Sequence, residues 1–85
     1  MLVDFSQLPD SSRVWIYQAD RSFTKNEGEI ISTTLSAFLQ QWTAHGHQLQ
    51  AAFDLPFNHF IIIGLNELVS GASGCSIDSL FRAIQ

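Results

Sequence analysis

The sequence predicts an α+β domain: a β-α-β-β-α two-layer sandwich in the ferredoxin-like split βαβ pattern, lacking the last strand. Three observations predict it. Val14-Trp15-Ile16-Tyr17 is a run of strand-favouring side chains. Ile31, Leu35, Phe38 and Trp42 recur at helical spacing, with Ile30 and Leu39 widening the stripe. Phe60-Ile61-Ile62-Ile63 is apolar at every position, the pattern of a central strand covered on both faces.

Taken in order, residues 1–12 read as an arm anchored by Leu2, Val3, Phe5 and Leu8 and closed by the turn-forming Pro9-Asp10-Ser11-Ser12. The first strand is expected from Arg13 to Asp20. It carries large side chains on both faces, which argues against an open edge. Thr24 and Glu27 have capping-box spacing, so a helix begins near Lys25; it is expected to run to Ala44, with Gly46 as its stop. The second strand, Gln48 to Leu55, puts Leu49, Ala51, Phe53 and Leu55 on one face. Pro56-Phe57-Asn58 connects it to the third strand, His59 to Asn66, which the split pattern places between the first two. From Ser76 to Gln85, Ile77, Leu80, Phe81 and Ile84 again have helical spacing, and Asp78 can pair with Arg82. The sixth element of the pattern does not follow, so the chain is expected to be cut short or completed by a partner.

The 85 residues make one domain with a small core. Eight acidic against four basic residues, with no basic patch, argue against a nucleic-acid partner. The N-terminus lacks the features of a signal peptide, and no apolar run approaches the ~18 residues of a spanning helix, so a cytoplasmic protein without a membrane partner is expected. One cysteine excludes an internal disulfide. Apolar residues make up 46% and charged residues 14%, a low charge that predicts coverage of some surface by a second copy, a homodimer.

Chemistry concentrates in Ser70-Gly71-Ala72-Ser73-Gly74-Cys75-Ser76-Ile77-Asp78. Its small residues leave backbone N–H groups accessible ahead of a helix. Ser73, Gly74 and Ser76, together with Arg13, are therefore candidates to bind a small anion such as phosphate. No lysine follows Gly74, so the loop is not a Walker A motif. Cys75 at a helix N-terminus has two readings: a thiolate stabilised by the helix, or a small apolar plug.

The split pattern brings the helix C-terminus with His45 and His47, the start of the second strand, the end of the third and Arg13 to one end of the sheet. Cys75 and His45 could then form a cysteine-dependent site for acyl or thiol transfer, with Asp78 or Glu67 orienting the imidazole. The competing reading has His45 capping the helix. A metal site of His45, His47 and Cys75 lacks a fourth ligand, so neither metal nor cofactor is expected.

At Arg13-Val14-Trp15-Ile16-Tyr17-Gln18, Gln41-Trp42-Thr43-Ala44-His45-Gly46 and Gly71-Ala72-Ser73-Gly74-Cys75-Ser76-Ile77-Asp78 the chain resembles a family of small uncharacterised bacterial proteins, often labelled ABC transporter ATPases. The resemblance spans nearly the whole chain and implies a longer C-terminus. Without Walker motifs it carries no ATPase role to any residue here. The function expected is a small non-catalytic interaction or ligand-binding module that self-associates, with the cysteine-dependent enzyme and the anion-binding loop as alternatives.

Overall fold

A computed structural model describes residues 1–44 and 46–68, and residues 77, 79, 80, 82 and 84. It is a mixed α+β structure with antiparallel sheets. The strands are β1 (Arg13–Gln18), β2 (Thr43–Ala44), β3 (His47–Gln48), β4 (Ala51–Asp54) and β5 (Phe60–Leu65), and α1 (Lys25–Gln41) follows β1. The larger sheet has the order β1-β5-β4, with β5 antiparallel to both neighbours; β2 and β3 form a separate hairpin.

The start of α1 is fixed by a reciprocal cap. The Glu27 N–H donates to the Thr24 hydroxyl at 3.1 Å, and the Thr24 N–H donates to the Glu27 carboxylate at 2.9 Å. That carboxylate also takes a bidentate pair from Arg21 at 2.7 and 2.6 Å. The Arg21 donors, then the Thr24 N–H, hold the Glu27 pKa down to about 2 from an ordinary 4.5. A depressed carboxylate stabilises the fold above its unfolded pKa, and the effect is lost as pH falls through the folded value. Urea unfolding should therefore show wild type more stable than Glu27→Gln at pH 7, with the gap closing between pH 4.5 and about 2. A gap unchanged at pH 2 would contradict the cap.

The helix ends three residues earlier than its periodicity predicts. Trp42 is already extended, at φ −67° and ψ 125°, and its carbonyl accepts from the Leu49 N–H at 3.0 Å. Gly46, expected to stop the helix, instead lies between β2 and β3 with φ +78°, a conformation that glycine enters without cost. β-branched Thr43 and this glycine suit a hairpin better than another helical turn.

One face of the sheet meets α1. Leu35, Leu39, Trp42, Ala44, Leu49, Ala51, Ile63, Leu65 and Leu80 form a single buried cluster, with Trp15, Phe53 and Ile61 packed on it. Ile77, Ser79, Leu80, Arg82 and Ile84 have helical backbone, and Leu80 and Ile84 turn to this core. Ile30, expected on the apolar stripe, is 65% exposed because it lies beyond the edge of the sheet-facing arc of α1.

The opposite face corrects two expectations. On the α1 side of β5, Ile63 and Leu65 are fully buried and Ile61 is half-buried; the other side is covered only in part. Phe5 and Leu8 of the arm lie against Gly64, so closely that a Cβ there would come within 2.6 Å of Leu8 Cδ1. Further along that face, Ile16 is 66% exposed beside its pairing partner Ile62. Among the described residues β1 pairs only with β5, so it is an open edge after all. The large side chains on its two faces differ in fate: Trp15 packs on the core, whereas Val14 and Ile16 face outward. The other sheet edge is occupied by the arm. The Val3 N–H donates to the Ala51 carbonyl and the Ala51 N–H to the Met1 carbonyl, at 2.9 and 3.0 Å.

Candidate functional site

Cys75, His45, Ser73, Gly74, Ser76 and Asp78 lie outside the described residues. What is described is the end of the sheet from which the chain enters that loop. There β5 finishes between Arg13 of β1 and Ala51 of β4, both registered opposite Leu65. Beyond it, buried Asn66 makes three hydrogen bonds, two to Gln50 and one to Leu68. Its backbone N–H donates to the Gln50 carbonyl at 2.9 Å, and its Nδ2 to Gln50 Oε1 at 2.6 Å. Its Oδ1 accepts the Leu68 N–H at 3.0 Å. The sequence reading gave Asn66 no role. The available signal was a turn-forming amide placed directly after an apolar strand, a residue type that hydrogen-bonds the backbone two positions on.

Arg13 is exposed, and its guanidinium carbon stands 5.0 Å from the centre of the Trp15 ring. A contact of this kind is worth about 0.5–1 kcal/mol at a surface. Trp15 in turn meets Trp42 edge-on at 5.9 Å, and Trp42 meets Phe38 at 5.8 Å. The two tryptophans thus form one aromatic seam from the sheet to the end of α1, and packing rather than ligand stacking accounts for both. His47 is exposed on β3, in the separate hairpin. Glu67 is exposed one residue beyond Asn66. His59 lies at the far end of β5, its ring 5.2 Å from that of Phe60. Among the described residues no cluster of three or more His, Cys, Asp or Glu side chains is placed to hold a metal ion. No helix of the described residues is long and apolar enough to cross a membrane.

Two further surfaces stand out. A groove of about 480 Å³ opens between α1 and the β1–β5 pair, lined by Tyr17, Phe23, Ile31, Leu35, Ile61 and Ile84. The second is the outward strip of β1, where Val14, Ile16 and Gln18 are all exposed. Comparison of the chain with protein families, with curated proteins and with solved structures gave no match.

Proposed function

We propose that the protein is a small non-catalytic interaction module that self-associates. One observation carries the reading: Ile16 and Val14 are 66% and 47% exposed on the sheet face that the arm covers only in part. Apolar surface grouped in this way marks an association site more often than a bare exterior. The low share of charged residues, 14%, agrees with it. A ferredoxin-like split βαβ unit is the arrangement we propose for the fold. It is supported by β5 lying between β1 and β4 and by α1, followed by the β2–β3 hairpin, connecting those two strands.

Sedimentation equilibrium from about 1 µM to about 1 mM spans the weak-to-moderate affinities that a contact of this size supports. A mass rising towards the dimer is expected. A monomer across the whole range would refute the reading.

A further inference from the structure

Hydrogen-bond parity along β1 identifies what its open edge can hold. The Ala19 N–H donates to the His59 carbonyl at 2.9 Å, in line with the β1–β5 register. In an antiparallel ladder a residue's N–H and C=O point to the same side, and that side alternates along the strand. Tyr17, Trp15 and Arg13 therefore address β5. Val14, Ile16 and Gln18 direct their N–H and C=O groups to the open edge.

We infer that β1 pairs antiparallel with β1 of a second copy, about a two-fold axis at Ile16. This rests on the self-association reading and names its surface. Four features favour that occupant. First, symmetric pairing requires residues of the same parity to face each other. The register centred on Ile16 meets this by placing Ile16 opposite Ile16 and Val14 opposite Gln18. Second, this register satisfies the edge groups of Val14, Ile16 and Gln18 together, whereas one centred on Trp15 leaves those of Gln18 unpaired. Third, charge permits it. The chain has eight acidic against four basic residues, yet β1 contains no carboxylate, and its single cation, Arg13, would fall opposite Ala19. Along this edge an acidic chain meets its own copy without setting a β1 carboxylate against another. Fourth, β1 lacks the devices that keep edges apart, having no proline, no lysine and no inward-pointing charge in the middle of the strand. The contact joins two three-stranded sheets into one of six, with the two Ile16 side chains meeting on the outward face.

The test compares Ile16→Lys with Ile30→Lys by sedimentation equilibrium, with circular dichroism as the check on folding. The two isoleucines are 66% and 65% exposed, on β1 and α1, so neither change empties the core. Ile16→Lys should weaken dimerisation by about a hundredfold, as expected when two isoleucines lose their burial and two cations face each other. Ile30→Lys should leave it unchanged. Amide exchange on wild type gives an independent readout: Val14, Ile16 and Gln18 should gain protection as concentration rises through the dimerisation range. A dimer that survives Ile16→Lys, or that forms without added protection at these amides, overturns the β1 contact and leaves self-association standing. A wild type that stays monomeric overturns both.

Discussion

Ile63→Ala should lower the unfolding free energy by about 3 kcal/mol, and Ile62→Ala by about 1 kcal/mol, although the residues are adjacent in one strand. Ile63 is fully buried in the cluster that β5 shares with α1, between Trp15 and Phe53 in the register of the sheet. Removing its three outer carbons leaves a cavity that close-packed neighbours fill only partly. Ile62 faces the other way, towards exposed Ile16, where solvent enters the vacated space. In a domain of this size each kcal/mol moves the melting temperature by about 4–8 °C, so the two variants should melt well apart. Equal losses would mean that β5 is covered equally on both faces, contrary to the partial coverage described.

The second large effect is expected at Asn66. Asn66→Leu keeps the volume but removes the donor to Gln50 Oε1 and the acceptor for the Leu68 N–H. With the site buried, the stranded partners should cost about 2 kcal/mol. Adding Gln50→Leu should return about 1 kcal/mol, because an apolar pair suffers less than a half-satisfied polar one. Urea unfolding of the four proteins in this cycle measures the coupling. Strict additivity would show that the Asn66–Gln50 hydrogen bond contributes nothing.

The elements most legible in the sequence are those where one local rule dominates. The start of α1 follows from the spacing of Thr24 and Glu27, and β5 follows from an unbroken apolar run. Leu49, Ala51, Phe53 and Leu55 reach the core cluster as their alternation implies. The end of α1 was less legible because Trp42 suits either ending: it continues the helical stripe, yet it is buried equally well as an extended residue. The open edge of β1 was hidden for a related reason. Large side chains on both faces of a strand indicate burial of each face, but they say nothing about who satisfies the backbone along its edges. For the candidate site, Arg13 reads in the sequence as an anion ligand, and its placement over Trp15 depends on a ring two residues away on the same face, a contact composition does not reveal. Cys75 and His45 lie outside the described residues.

The arm along β4 bears on stoichiometry. Strand pairing is a templating reaction, and a sheet with two bare edges recruits copies without limit. Here Met1 and Val3 occupy the backbone groups of Ala51, while Phe5 and Leu8 close over Gly64. A symmetric contact through β1 then consumes the one remaining edge of the described sheet, and assembly terminates at a pair. Detaching the first eight residues would convert a chain-stopped unit into one with two reactive ends, and its product would be a fibre rather than a dimer.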